Sequence, residues 1–494
     1  MSTSLFELIS DNIQSNDMLP EGFRLQTGTL SPSISRVRLV DGSLDGMYLY
    51  HNMPGNDDID SLTNVIEEAS RHDFESAEYD LIDFFSDNDV RMLPLVEKLE
   101  KWVNGNTDTI DAEALFEFAA NIIIRTDNTE CLKFALTVLE MMDTDDNDAV
   151  KDVVRTLARS DELTLFSIFI AETWKDSTEA ILDFAKHVKG WGRIHCVEHI
   201  PAESGKVKDW LFREGVKNNI GAAYSARTVA EKINLARVFS NPKFNSGDYY
   251  LSRPIIDGLL NEGTIQGMSS MTDRTEIISG YLKQSENVEH TSESIETLLN
   301  LRDYLSNNIF TESGKLSERL EKLLNSKPIT EYVQLMITEK RGFRIARRMS
   351  IDCTNEILDA MGSDFDANVS LIDILPKDDE TLNKLFDIFR TKLPLQMMAS
   401  GPKDNLGVGE EYRPYHQLSF LVQNLADTAG AGEEFIISSL NCPINANRQM
   451  ALSTLEEWLK DEYVPSTAVK NAVWKLKETE PVEDIQNLLE KIKI

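Results

Sequence analysis

GWGRIHCVEHI, residues 190–200, decides how the rest of the chain is read. Arg193 stands near its start, and Cys196, Val197 and Ile200 follow at the spacing of one buried helix face. Pro201 then ends the helix. A second stretch, NANRQMALSTLEEWL at 445–459, repeats the arrangement with Arg448 followed by Ala451, Leu452 and Leu455. Each stretch is preceded by turn residues and followed by another amphipathic segment.

The same rhythm extends outward from both. From about residue 60 the chain runs through LTNVIEEASRH, VRMLPLVEKLEKWV, AEALFEFAANIIIR, ECLKFALTVLEMM and AVKDVVRTLAR, and later through SESIETLLNLRDYLS, ETLNKLFDIFRTKL and VEDIQNLLEKI. Apolar residues recur at three- and four-residue spacing, and the breaks carry Asp, Asn, Ser, Thr, Gly or Pro, which cap helices and make turns. Short amphipathic helices cannot bury their stripes alone, so they are expected to stack on their neighbours. No strict period is visible, which makes any repeats diverged.

Residues 20–56 read differently. Gly, Pro and Ser punctuate short alternating pieces, SRVRLV and GMYLYH, with Asp41-Gly42 between them as a hairpin signal. The expected fold is all-α: an α-solenoid of helical hairpins with a small N-terminal β-containing cap. Expected segments are 1–56 with the hairpin, 57–240 as acidic repeats, 241–400 as a helical middle with a basic cluster, and 401–494 as a loop plus C-terminal helices.

The 494 residues are 41% hydrophobic and 27% charged, which fits a folded protein. The balance is acidic: 83 Asp plus Glu against 50 Lys plus Arg give a formal charge of -33. Residues 57–89 alone hold twelve Asp or Glu and a single Arg. Such a field disfavours general nucleic-acid and membrane-surface binding and favours a basic partner. The N-terminus reads as no signal peptide and no apolar run is long enough to span a bilayer, so a cytoplasmic location is expected. Cys131, Cys196, Cys353 and Cys442 are scattered, without a C-x-x-C pair, as suits a reduced compartment.

Four places carry residues suited to chemistry or binding. His195, Glu198 and His199 spell H-x-x-E-H, which could place two metal ligands one helical turn apart with a base beside them and Glu276 as a third ligand. That is the basis of an alternative reading as a metal-dependent hydrolase; the favoured reading of this helix is architectural. Asp143, Asp145 and Asn147 begin like a calcium loop, but Asp148 and Val154 stand where it needs Gly and Glu, so a capped turn is expected. Lys340, Arg341, Arg344, Arg347 and Arg348 form the basic exception, able to hold an anion or to pair with neighbouring acidic helices. Residues 399–417, ASGPKDNLGVGEEYRPYHQ, form the longest Gly-rich connection, with Tyr412, Arg413, Tyr415 and His416 as a plausible recognition tip.

GWGRIHCVEHI and NANRQMALSTLEEWL resemble the second helix of HEAT/armadillo-like repeats, with an Arg near the start and apolar residues on the buried face. GWGRIHCVEHI together with KVKDWLFREGVKN (206–218) is similar to little-studied bacterial HEAT-like proteins, some of which carry a limonene hydroxylase label. The resemblance implies an α-solenoid, and the label implies an oxidoreductase. Hydroxylation needs an oxygen-activating cofactor, yet no His stands two before an Asp or Glu, and the Gly-x-Gly of LGVGEEY lacks its third glycine. No cofactor is therefore expected, and the leading expectation is a non-enzymatic scaffold that binds a basic protein.

Overall fold

The computed structural model describes residues 3–25, 39–86, 90–461 and 463–494, which hold twenty-nine α-helices and no strand. The chain is all-α. No helix among the described residues is long and apolar enough to cross a membrane. By its contacts the chain falls into two compact units, residues 1–289 with 300–321, and residues 290–299 with 322–494.

The turn residues between the apolar stripes act as helix caps. Asp111 accepts from Glu113 N and Ala114 N, Asn128 from Glu130 N and Cys131 N, and Ser204 from Val207 N. Asn245 and Asp248 close a full capping box on Ser246–Leu260. The calcium-like run is such a turn: Asn147 caps Asp148–Leu157, and Asp145 receives Lys151 at 2.9 Å and Lys175 at 2.6 Å. These ammonium groups hold the Asp145 carboxyl well below its ordinary range.

Between residues 129 and 260 of the first unit, every second helix packs on the next but one. Thr129–Glu140 packs on Thr164–Glu172, which packs on Trp191–His199, then on Ala223–Ile233 and Ser246–Leu260. The intervening helices lie against this row: Asp148–Leu157 and Ser177–His187 on Thr164–Glu172, and Gly205–Glu214 on Ala223–Ile233. Within the second unit the same alternation links Arg413–Asn424, Asn445–Lys460 and Glu483–Lys491, and pairs Glu433–Leu440 with Thr467–Thr479.

The expected β-hairpin does not form where the structure can be read. GMYLYH lies in the helix Ser43–His51, and residues 35–38 of SRVRLV fall outside the described residues. Asp41-Gly42 is a helix entry rather than a hairpin turn, with Gly42 at φ 77°. Tertiary contact overrides the local alternation: a Cβ on Gly46 would come within 2.4 Å of the Trp191 ring, and one on Gly42 within 2.7 Å of the Asp161 carbonyl oxygen.

Arg193 and Arg448 do equivalent work in the two units. Arg193 donates to the Ala185 carbonyl at 2.7 Å and the Glu214 carbonyl at 3.0 Å, and lies over the Trp210 ring. Arg448, fully buried, donates to the Cys442 carbonyl at 3.0 Å and the Lys403 carbonyl at 2.9 Å. It also grips both oxygens of the buried Glu480 carboxylate, at 2.6 and 2.8 Å. Each arginine thus satisfies a carbonyl at or just past a helix end, Ala185 and Glu214 for Arg193 and Cys442 for Arg448, which has no partner within the helix. Arg448→Met would leave Glu480 charged and buried, so urea denaturation is expected to show a loss of about 3–5 kcal/mol, much of it recovered in the Arg448→Met/Glu480→Leu double variant.

Candidate functional site

The helix Thr129–Glu140 is buried on nearly every side, yet it carries Lys133 at its middle. An ammonium at 0% exposure needs counter-charges, and three converge on it. Asp45 stands at 2.8 Å, Glu162 at 2.7 Å and Glu130 at 3.3 Å. The remaining carboxylate oxygens are also engaged: Glu162 accepts from Gly42 N at 2.6 Å and Glu130 from Met92 N at 2.8 Å. The carboxylates raise Lys133 above its ordinary range despite its burial. Asp45, buried and facing two other carboxylates, is pushed up to about 7, while Asp41 is pushed up to about 6, chiefly by burial.

This cluster fastens Ser43–His51 across the inner helices. Behind it, the segment builds an aromatic seam with Trp191–His199. Tyr50 lies 5.7 Å from Trp191 and 5.5 Å from Tyr224, and Trp191 lies 4.8 Å from Tyr224. The Gly190 and Gly192 amides both donate to Asp161 at 2.9 Å, which fixes the start of the helix. Its far end is closed by Lys232, whose ammonium donates to the Val197, Glu198 and Ile200 carbonyls. His51 reaches Tyr224 at 2.8 Å and Thr264 at 3.1 Å.

The three residues of H-x-x-E-H do not converge. Glu198 accepts from the Tyr50 hydroxyl at 2.5 Å, and His199 Nδ1 lies 2.9 Å from Glu172. His195 is buried at 1% exposure against Tyr50 and Trp191, and neither ring nitrogen has a hydrogen-bond partner. Burial, with the nearby His199 and Lys133, lowers its pKa to about 3 and keeps the ring neutral. Glu276 lies in the first turn of another helix, Arg274–Ser285. Among the described residues, no group of three His, Cys, Asp or Glu side chains is arranged to hold a metal ion.

The basic cluster is engaged within its own unit. Arg341 pairs with Glu339 at 2.6 Å, Arg344 with Asp373 at 2.7 Å and Arg347 with Asp352 at 3.6 Å, and Arg348 also has an interaction of its own. The loop at 399–417 is latched rather than loose. Arg413 pairs with Asp366 and Glu410, His416 meets the Gly407 carbonyl at 2.9 Å, and Tyr412 packs against Tyr415 and accepts from Asn405. The Arg448 hydrogen bond to Lys403 ties the start of the loop to the buried ion pair.

Sequence reasoning missed Lys133, Asp45, Glu162, Tyr50 and Tyr224. One signal was present: a lysine inside ECLKFALTVLEMM, a stretch mostly of apolar residues, requires a counter-charge if the helix is buried. Compared with known proteins, the chain matches no family model, no curated protein and no solved structure.

The raised Asp45 carboxyl makes segment docking pH-dependent. A group that titrates higher folded than unfolded stabilises at low pH, and that stability is lost as pH rises through the folded value. From pH 7 to 8 the unfolded His195 reference is mostly neutral, which leaves Asp45 as the raised carboxyl of this segment that titrates. Hydrogen exchange at residues 43–51 is expected to accelerate relative to its intrinsic rate across that window in the native chain, and to lose this dependence in Asp45→Asn. His195→Phe replaces two unpartnered nitrogens by carbon within an aromatic seam, and a thermal midpoint equal to or above that of the native chain is expected.

Proposed function

We propose that the chain is a non-enzymatic, HEAT-like α-solenoid scaffold that binds a basic protein. The alternate packing of helices in each unit supports the solenoid reading, because a helix that meets its next-but-one neighbour is the signature of stacked two-helix repeats. The HEAT-like assignment adds the common use of Arg193 and Arg448 at helix ends.

The observation that carries the functional reading is where the excess charge lies. With a formal charge of -33, the cations are largely consumed internally, as at Lys133, Lys151, Arg344, Arg413 and Arg448. Carboxylates are left over at the surface. Asp58, Asp60, Glu75, Asp80 and Asp83 are exposed on or beside the helices Asp60–Ser70 and Phe74–Phe84, and none is in an ion pair among the described residues. Such a surface steers a cationic protein and repels phosphate backbones. A second, catalytic reading through His195, Glu198 and His199 gains no support from this geometry, in which Tyr50 engages Glu198, Glu172 engages His199 and His195 is enclosed by rings.

The test is affinity capture on the immobilised full chain from lysate of the cells that express it, in low and high salt. Retained proteins are expected to be basic, stoichiometric and released by salt. Absence of retention, or retention indifferent to salt, would overturn the reading.

A further inference from the structure

Two helices of the first unit leave an apolar groove open. Ala112–Arg125 presents Phe116, Ala120, Ile123 and Ile124, and Asp148–Leu157 presents Ala149, Val150 and Val153, around a groove of about 280 Å³. Ile124 is 50% exposed, and Phe116, Ala120, Val150 and Val153 are only half-buried. A run of three isoleucines cannot turn inward together: Ile122 and Ile123 enter the core and Ile124 is left on the surface.

What surrounds this groove is acidic. Glu113 and Glu117 stand one turn from Phe116 and Ala120 on the same helix, Asp127 lies just past its end, and Asp148 begins the opposing helix. All four are exposed, and none is in an ion pair among the described residues. Asp152 shares the edge of the second helix and pairs with Arg155 at 3.7 Å. The same two helices already hold a short amphipathic helix of the chain itself. Leu5–Asn12 packs on both of them, buries Leu5 and Ile9, and donates from Leu5 N to the Thr126 carbonyl at 2.9 Å. None of its residues lines the open groove.

We propose that this groove receives a basic amphipathic helix of the partner protein, its apolar stripe against Phe116, Ile124 and Val153 and its flanking Lys or Arg against Glu113, Glu117 and Asp148. The proposal rests on the scaffold reading and names the chemistry of the segment bound. The groove volume suits a few aliphatic side chains, and the anchors at i, i+3, i+4 and i+7 of a helix supply them on one face. The rim excludes an acidic or phosphorylated segment by like-charge repulsion.

Fluorescence anisotropy of the full chain with two synthetic peptides of equal length and positive charge tests this. One carries leucines at helical stripe spacing and the other has the same composition scrambled. The striped peptide is expected to bind at least about tenfold tighter than the scrambled one, since burying one or two leucines contributes that much. Ile124→Glu, at a half-exposed position that folding tolerates, separates apolar docking from Coulomb attraction. It adds negative charge, so purely electrostatic binding would be unchanged or strengthened, whereas groove binding is expected to weaken at least about tenfold. Glu113→Lys/Glu117→Lys is expected to weaken the striped peptide and to reduce its salt dependence. Equal affinity for the two peptides, or undiminished affinity in Ile124→Glu, would overturn the proposal. If that happens while basic proteins are still captured in a salt-sensitive way, the groove assignment fails and the scaffold reading stands. Failure of capture as well removes both.

Discussion

A lysine ammonium with no access to water sets the terms for the first unit. Lys133 lies on a helix that is covered on all sides, and its desolvation is offset only because Asp45, Glu162 and Glu130 converge on it from other parts of the chain. Glu162 and Glu130 are themselves buried and take further donors from the Gly42 and Met92 amides. The network therefore specifies one seating for Ser43–His51. From that seating follow the contact of Gly46 with Trp191, the aromatic seam, and the bond between Tyr50 and Glu198.

Much of the helical architecture was legible because helix periodicity and caps are local. The stripes in AEALFEFAANIIIR and AVKDVVRTLAR announce Ala112–Arg125 and Asp148–Leu157, and the Asp and Asn before them are the caps the structure uses. The N-terminal segment was misread for the opposite reason. DGSLDGMYLYH alternates like a strand and contains a turn dipeptide, but its conformation is decided by Lys133 and Trp191, which lie far along the chain. Nothing near residue 45 reveals that a lysine 88 positions away will need a carboxylate.

The site candidates divide along the same line. H-x-x-E-H is a statement about spacing, and on the helix the three residues do keep their spacing. What spacing leaves open is the choice of partner, and here Tyr50 and Glu172 each take one of the three while His195 is enclosed by rings. The arginines at 341–347 likewise form a basic run in sequence, yet Glu339, Asp373 and Asp352 engage them in space. Acidic residues are so abundant that almost any cation on this chain meets one, and the exposed Ile124 beside its groove is a surface feature of another kind.

The ties that seat Ser43–His51 reach across 88 positions from Asp45 to Lys133, 148 from Tyr50 to Glu198 and 213 from His51 to Thr264, whereas the stacked helices meet near neighbours. Near-neighbour contacts close quickly, and distant ones wait on loop closure. During synthesis this segment leaves the ribosome ahead of these partners, and the last of them, Thr264, emerges more than two hundred residues later. Until then Asp41 and Asp45 are hydrated carboxylates and Lys133 lacks Asp45. A piece of the first unit that is made before its partners is thus among the last to find its place, and the inner helices must remain soluble without it.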